Sequence, residues 1–239
     1  MKKIHTEKFK YNLFEPTIKG SEGLTIIIYH GWGTQVESFN DLAEELTKIG
    51  HTVIVPEIIF HDSRNPLDNH FTTETTQNYF WKTIFSTIDE FDEFIDEVGI
   101  LREKIVLVGS SMGGFIANGI FAKQKELSGL VNVNGSGSFM LSERLFREAS
   151  KRPPLPFEEE VIMNRYNPIE RKSCDAPVLL MHGDSDKTIS IKGQEDYFKY
   201  LTETENRNNV TFLIYKNVNH QFSEEMVNDF LVWLRKIGL

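Results

Sequence analysis

The stretch Lys104-Ile105-Val106-Leu107-Val108-Gly109-Ser110-Ser111-Met112-Gly113 decides the fold. Its first half is a short apolar run that is typical of a buried strand, and the residues that follow, from Phe115 to Phe121, carry apolar side chains at helical spacing. The pentapeptide that begins at Gly109 therefore lies where a strand turns sharply into a helix. A Gly-x-Ser-x-Gly sequence in this context predicts a nucleophile elbow with Ser111 at its apex.

Apolar, β-branched runs alternate with helical patterns along the rest of the chain. This alternation is typical of βαβ units and predicts an α/β fold with a mostly parallel central sheet flanked by helices. The predicted strands are 25–29, 52–55, 104–108, 130–133, 178–181 and 210–215, and the predicted helices are 38–49, 75–98, 112–125, 193–203 and 224–236. An antiparallel edge hairpin is expected at the amino terminus, with residues 3–9 followed by a turn near 15–23.

The length of 239 residues and the absence of a linker or internal repeat predict a single α/β domain over 1–239. One segment, 139–166, breaks the alternation between the fourth and fifth parallel strands and contains Pro153-Pro154-Leu155-Pro156. Ligands of open α/β sheets bind beyond the carboxyl ends of the strands. We therefore interpret 139–166 as a small helical lid insertion over a pocket.

The charge and composition narrow the class of partner. The chain carries 26 Lys and Arg against 35 Asp and Glu, a net charge of −9, with no extended basic patch, so a nucleic-acid partner is not expected. No stretch approaches eighteen apolar residues, and the first ten residues are mixed, so we expect no membrane segment and a cytoplasmic location. The lone Cys174 excludes an internal disulfide and a cysteine-based metal cluster. The sequence predicts a small-molecule substrate and neither a metal nor a cofactor.

A nucleophilic serine needs a histidine base and an acid that orients it. Of the seven histidines, only His220 follows the last predicted strand and precedes the last helix, which places it at the carboxyl edge of the sheet. Two aspartates, Asp184 and Asp186, follow the fifth parallel strand, and both are able to reach His220. We favour Asp186 as the acid, because several loop residues are needed before a carboxylate can point back to the pocket, and Asp184 suits a cap of the local turn.

The oxyanion of a tetrahedral intermediate requires preorganised N–H donors. The backbone N–H of Met112, at the start of the helix after the elbow, is one candidate. The loop His30-Gly31-Trp32-Gly33 follows the first parallel strand, and its two glycines allow the backbone to approach a substrate. The Trp32 N–H is therefore the expected second donor.

The order Ser111, Asp186, His220, with His-Gly-Trp-Gly ahead and His-Gly-x-x-Asp behind, resembles the α/β-hydrolase fold over nearly the whole chain. Within it the sequence resembles small bacterial carboxylesterases related to the dienelactone hydrolases and to the catalytic domains of prolyl oligopeptidase-like enzymes. Such esterases often carry His-Gly-x-Arg after the second parallel strand, where this chain has His61-Asp62-Ser63-Arg64, with Asp62 in place of the glycine.

Three residues are candidates for contact with the substrate. His61 and Arg64 could contact its polar end from the loop after the second parallel strand, although pairing with nearby carboxylates is the alternative. Phe139 is the first of the apolar residues of the lid segment that could contact the acyl group. The sequence thus predicts a serine carboxylesterase for short-chain acyl esters that works through an acyl-enzyme. The alternatives are an acyl-peptide or oligopeptide hydrolase and a non-catalytic scaffold that binds a ligand or partner.

Overall fold

The computed structural model of the protein describes residues 1–17, 23–172 and 174–237. Within these residues the strands are β1 (Lys2–His5), β2 (Lys10–Phe14), β3 (Thr25–Tyr29), β4 (Thr52–Pro56), β5 (Ile105–Ser110), β6 (Gly129–Val133), β7 (Val178–Gly183) and β8 (Val210–Tyr215). The helices are α1 (Asn40–Lys48), α2 (Thr73–Asp89), α3 (Phe91–Val98), α4 (Met112–Lys123), α5 (Phe139–Ala149), α6 (Phe157–Tyr166), α7 (Lys192–Lys199) and α8 (Glu224–Ile237).

The strands form one eight-stranded sheet in the order β1-β2-β4-β3-β5-β6-β7-β8. Strands β3 to β8 pair in parallel, whereas β1 pairs antiparallel with β2 and β2 pairs antiparallel with β4. The predicted α/β class with a mostly parallel sheet is confirmed. The order runs outward in both directions from β3 and β5, and this reversal creates a crevice at their carboxyl ends.

Apolar side chains cover both faces of the sheet, as a buried parallel sheet requires. On one face, alternate strand residues pack against α1 and α8, whose Leu46 and Phe230 are fully buried. On the other face the partners include α2, α3 and α4. Every residue from Met112 to Ala122 in α4 is buried, so the helix that follows Ser111 is held inside the protein. This burial fixes the position of the elbow.

Two features at the chain's start and middle differ from the sequence prediction. The amino-terminal hairpin forms between β1 and β2, and its turn lies within residues 6–9, where Thr6 and Phe9 exchange backbone and side-chain hydrogen bonds. Of the turn expected near 15–23, residues 18–22 lie outside the described residues. The single helix expected over 75–98 is divided at Glu90, which still donates to the Ser86 carbonyl and accepts from the Phe94 N–H.

None of the helices in 1–17, 23–172 and 174–237 combines the length and the apolar character that a membrane span requires.

Candidate active site

Ser111 lies at a strained turn between β5 and α4. Its backbone has φ 56° and ψ −121°, a conformation with positive φ that non-glycine residues rarely adopt. The flanking glycines make the turn feasible. A Cβ on Gly109 would overlap the Gly113 carbonyl, and a Cβ on Gly113 would overlap the Tyr29 carbonyl. The pentapeptide therefore needs glycine on both sides of the serine to hold β5 and α4 this close together.

Hydrogen bonds connect Ser111, His220 and Asp186 in one chain. Ser111 Oγ lies 2.8 Å from His220 Nε2, and His220 Nδ1 lies 2.6 Å from Asp186 Oδ2. Because an ionised carboxylate only accepts, Nδ1 carries the proton and Nε2 presents its lone pair to the serine hydroxyl. This geometry allows His220 to take the Ser111 proton.

Asp186 is held as a carboxylate by its surroundings. Burial by itself raises the pKa of Asp186, but hydrogen bonds from His182 and His220 and from the Ile189 N–H outweigh it and hold the pKa well below its ordinary value. Its second oxygen, Oδ1, accepts the Thr188 and Ile189 N–H groups at 2.8 and 3.0 Å. The carboxylate is thus both charged and fixed in direction.

His182, the histidine of the His-Gly-x-x-Asp sequence, also contacts this group, although no role was predicted for it. It lies in β7 and is fully buried, with Nε2 3.0 Å from the Ile189 carbonyl oxygen and 3.4 Å from Asp186 Oδ2. It therefore contacts both the Asp186 carboxylate and the loop that carries it. The signal in the sequence is the His-Gly-x-x-Asp spacing, which places His182 four residues before Asp186.

Asp184 has a separate role in the structure. Its Oδ1 accepts the Asn217 N–H at 2.7 Å and the Ser185 hydroxyl at 2.9 Å. These bonds join the loop after β7 to the loop after β8, which bears His220. Asp184 therefore binds turn residues, in line with the turn-capping role expected for it.

The two segments that carry the candidate oxyanion donors both adjoin Ser111. Met112 is the first residue of α4, so helix geometry gives its N–H no partner four residues back. Gly31 packs on the serine, since a Cβ placed on it would lie 3.3 Å from Ser111 Cβ and 3.8 Å from Oγ. The parallel pairing of Tyr29 with Gly109 brings this loop beside the elbow. Trp32, the next residue, lines the same cavity as Ser111.

A cavity of about 680 Å³ opens in front of Ser111 and His220. Its size is that of an ordinary small-molecule site, roughly 300–1,000 Å³. Besides Ser111 and His220, the lining consists of Trp32, Phe71, Thr73, Thr76, Gln77, Phe80, Trp81, Glu143, Phe146, Ala149, Ser150, Arg152, Thr188 and Ile189. Aromatic rings thus form much of the wall, with polar groups at separate points.

The segment 139–166 consists of α5, a proline-containing loop and α6, and it contributes part of this wall. Phe146, Ser150 and Arg152 line the cavity, and so does Glu143, which accepts the Trp81 indole N–H at 2.7 Å. Helix α2 supplies a second part of the wall, with Thr76, Phe80 and Trp81 among its residues. Nothing in the sequence of α2 predicts a place in the site, because its aromatic residues at helical spacing indicate only a packed helix.

The three residues expected to contact the substrate make other contacts in the structure. Among the described residues that line the cavity, none is His61, Arg64 or Phe139. Arg64 makes a bidentate ion pair with Glu90, and Phe139 is fully buried against Trp81 and Phe115.

His61 is buried and its Nε2 accepts the Gly33 N–H at 3.0 Å. Burial, together with nearby His30 and His70, lowers the pKa of His61 to about 3, so the ring is neutral at ordinary pH. This imidazole therefore contacts the loop after β3 and not the cavity.

Comparison with known proteins gives a family match over most of the chain. The model of the dienelactone hydrolase family matches residues 12–230. The chain is 25% identical to esterase YjfP of Escherichia coli (strain K12) over 230 residues, which cover 88% of this chain and 88% of that protein.

Solved structures with low sequence identity share the fold. Esterase PE8 superposes with a TM-score of 0.68 at 17% identity, over 96% of this chain and 99% of that one. TT1662 from Thermus thermophilus superposes with a TM-score of 0.71 at 15% identity, over 96% of this chain and 93% of that one. The monoacylglycerol lipase of Paleococcus ferrophilus gives 0.67 at 19% identity, over 96% and 99%. These likenesses agree with the eight-stranded sheet described above.

Proposed function

The chain belongs to the dienelactone hydrolase family and is a hydrolase, and on that premise we propose that it is a serine carboxylesterase that cleaves short-chain acyl esters. The observation that carries the proposal is the chain of hydrogen bonds from Ser111 through His220 to Asp186, at 2.8 and 2.6 Å. A serine hydroxyl becomes a strong nucleophile when a neutral imidazole accepts its proton.

The reaction proceeds in two halves. His220 Nε2 takes the proton of Ser111 Oγ as that oxygen bonds to the ester carbonyl carbon, and the carbonyl electron pair moves onto oxygen. Collapse of this tetrahedral species breaks the bond to the alcohol oxygen, which leaves with the proton from His220. Water then attacks the acyl-enzyme while His220 takes its proton. Collapse of the second tetrahedral species breaks the bond to Ser111 Oγ, which regains the proton from His220, and the free acid is released.

Asp186 contributes by holding His220 in the reactive tautomer. Its charge stabilises the imidazolium that forms when the serine loses its proton. The depressed pKa of Asp186 keeps the carboxylate ionised across the pH range in which an esterase works. The Thr188 and Ile189 N–H groups prevent the carboxylate from turning away.

The backbone N–H groups of Trp32 and Met112 are the proposed oxyanion donors. Both belong to segments fixed by the sheet: Trp32 follows β3, and Met112 follows β5, its parallel neighbour. A donor that needs no rearrangement stabilises the developing charge at little reorganisation cost. Loss of one such donor typically lowers kcat by about 10²–10³.

The cavity favours an uncharged, largely apolar ester. Trp32, Phe80, Trp81 and Phe146 present aromatic surface next to the serine. We propose that 139–166 acts as a small lid over this cavity within a single domain, with acyl groups from acetyl to hexanoyl preferred. We further propose that the protein works in the cytoplasm on small-molecule esters.

The rival functions make different predictions in one experiment. Specificity constants are measured for p-nitrophenyl esters and for aminoacyl p-nitroanilides, with Ser111→Ala as the control. We expect turnover of the esters, weak or no turnover of the anilides, and none by Ser111→Ala. Anilide turnover that equals ester turnover would replace the esterase with a peptidase. No turnover of either class, with no labelling by a fluorophosphonate, would leave the non-catalytic scaffold.

A further inference from the structure

The loop after β4 binds the loop after β3 through two consecutive side chains. His61 Nε2 accepts the Gly33 N–H at 3.0 Å. Asp62 Oδ1 accepts the Val36 N–H at 3.0 Å, and Asp62 Oδ2 lies 2.9 Å from His30 Nε2. The His30 side chain is fully buried and that of Asp62 is 5% exposed. These bonds are therefore shielded from competition with water.

His30 transmits the contact to the peptide unit before Trp32. Its Nδ1 lies 2.9 Å from the Gly31 carbonyl oxygen, which also accepts the Thr34 hydroxyl at 2.9 Å. Because the Asp62 carboxylate and the Gly31 carbonyl only accept, His30 donates to both when each ring nitrogen carries a proton. In a planar trans peptide the carbonyl and the following N–H point in opposite directions. Fixing the Gly31 carbonyl on His30 and Thr34 therefore fixes the direction of the Trp32 N–H.

His61 fixes the peptide unit on the other side of Trp32. The bond from the Gly33 N–H requires a lone pair on Nε2, so the ring proton is on Nδ1, which lies 3.3 Å from the Ile59 carbonyl oxygen. Gly33 has φ 70°, a conformation that favours glycine. The two peptide units that flank Trp32 are thus each bound by a histidine ring.

Backbone strain is concentrated in the loop that supplies these contacts. Phe60 and Asp62 have φ of 67° and 50°, which is unfavourable for side-chain-bearing residues. Such strain persists only where surrounding contacts enforce it, and it is concentrated at functional sites. Neither His61 nor Asp62 lines the cavity, so this geometry does not serve direct contact with a substrate.

We propose that His61 and Asp62 are positioning residues that hold the Trp32 N–H in place as an oxyanion donor, His61 through Gly33 and Asp62 through His30. The proposal rests on the esterase function proposed above. These residues thus contribute to transition-state stabilisation without touching the substrate. Asp62, which stands where related esterases often have glycine, has the task of binding His30 and the Val36 N–H.

The test compares three substitutions of His61. His61→Leu removes the acceptor for the Gly33 N–H. His61→Gln keeps an acceptor oxygen near the position of Nε2, whereas His61→Asn ends one atom short of it. The Gln and Asn variants are equally polar, so they preserve the comparison if His61→Leu does not fold.

His51→Leu is the matched control. His51 Nδ1 accepts the Leu24 N–H at 3.2 Å, so this variant removes the same kind of bond at the opposite, amino end of β3. A loss of activity that came only from a weakened β3 would appear in both leucine variants.

We expect His61→Leu and His61→Asn to lower kcat for p-nitrophenyl butyrate by about 10- to 100-fold. This fall does not exceed the one caused by removal of an oxyanion donor, because the Trp32 N–H is displaced and not lost. KM should stay within about threefold, because ground-state binding is unchanged. A trifluoromethyl ketone, which forms a tetrahedral adduct with a catalytic serine, should lose affinity by the same factor as kcat/KM. His61→Gln should recover most of the activity, and Asp62→Asn should reproduce the loss of kcat.

Three kinetic results would overturn the proposal: an unchanged kcat in folded His61→Leu, a loss that His61→Gln does not restore beyond His61→Asn, or an equal loss of kcat in His51→Leu. Amide hydrogen exchange at Gly33 gives a readout that needs no activity. It should accelerate in His61→Leu and recover in His61→Gln, and unchanged exchange would refute the contact itself. An inactive wild-type protein would instead refute the proposed function.

Discussion

Arg64 and Glu90 form a bidentate ion pair at the junction of α2 and α3, with Nη1 to Oε1 at 2.7 Å and Nη2 to Oε2 at 2.8 Å. The side chains are only 11% and 16% exposed, and Arg64 also donates to the Glu57 carbonyl at 3.0 Å. The pair joins the loop after β4 to the point where the helix predicted over 75–98 is divided. Arg64 therefore holds the loop after β4 against the junction of α2 and α3, and it does not line the cavity.

Arg64→Met should destabilise the protein without impairing catalysis by the folded enzyme. Removal of Arg64 leaves the partly buried Glu90 carboxylate without its ion-pair partner, which costs about 2 kcal/mol. Urea unfolding measures the loss, and kcat/KM at low temperature should stay within about twofold of wild type. Arg102→Met, which breaks more exposed pairs with Asp92 and Asp96, should be much milder. A large fall in kcat/KM with unchanged stability would restore Arg64 as a substrate contact.

Asp186→Asn should lower kcat by about 10³–10⁴ with little change in KM, because it disturbs the tautomer and charge of His220 and not substrate binding. Asp184→Asn should be mild, since an amide oxygen can still accept the Asn217 N–H. Steady-state kinetics on both variants, at equal folded content by circular dichroism, decides between them. The reverse ranking would assign the acid role to Asp184.

The strands and the site residues differ in how far the sequence predicts them. Ser111, Asp186 and His220 each follow a strand of the parallel part of the sheet, and parallel strands end at one edge, so their proximity follows from topology. The lining from α2 depends on how Trp81 and Phe80 pack against α5 and the sheet, which no local pattern specifies. His61 and Arg64 illustrate the same limit, because a loop residue's partner is determined by which distant backbone or carboxylate the fold places beside it.

His61 should make the free energy of unfolding fall more steeply as the pH is lowered below neutral. The folded protein holds its pKa near 3, mainly through burial, with His30 and His70 also lowering it, whereas an unfolded histidine has a pKa of about 6.5. Between these values the unfolded state binds more protons, so stability falls as the pH falls, by up to about 1.4 kcal/mol per pH unit for this group.

His61→Gln removes that proton and should flatten the dependence of unfolding free energy on pH over the same window. Urea unfolding at pH 4 to 7 provides the slopes, and His5→Gln at the exposed end of β1 is the control. Equal slopes for wild type and His61→Gln would mean that His61 takes up its proton in the folded protein as well.

The dependence of kcat/KM on acyl-chain length tests whether 139–166 covers a small pocket. Each methylene that the cavity buries contributes about 0.8 kcal/mol, so kcat/KM should rise about fourfold per carbon and stop when the cavity is full. We expect a maximum at or below hexanoyl and poor turnover of dodecanoyl esters. Phe146→Ala should move the maximum to longer chains, because Phe146 lines the cavity, whereas Phe157→Ala on the exposed surface of α6 should not. A maximum at ten carbons or beyond would contradict the assignment of 139–166 as a lid over a small pocket.

The most direct test of the account is the covalent labelling of Ser111. Wild-type protein, Ser111→Ala and Ser110→Ala are treated with a fluorophosphonate, and the adduct is located by peptide mass spectrometry. We predict one rapid adduct on Ser111 in the wild type, none in Ser111→Ala, and labelling with most activity retained in Ser110→Ala. Labelling and turnover that survive in Ser111→Ala, or are lost in Ser110→Ala alone, would contradict the assignment of Ser111 as the nucleophile.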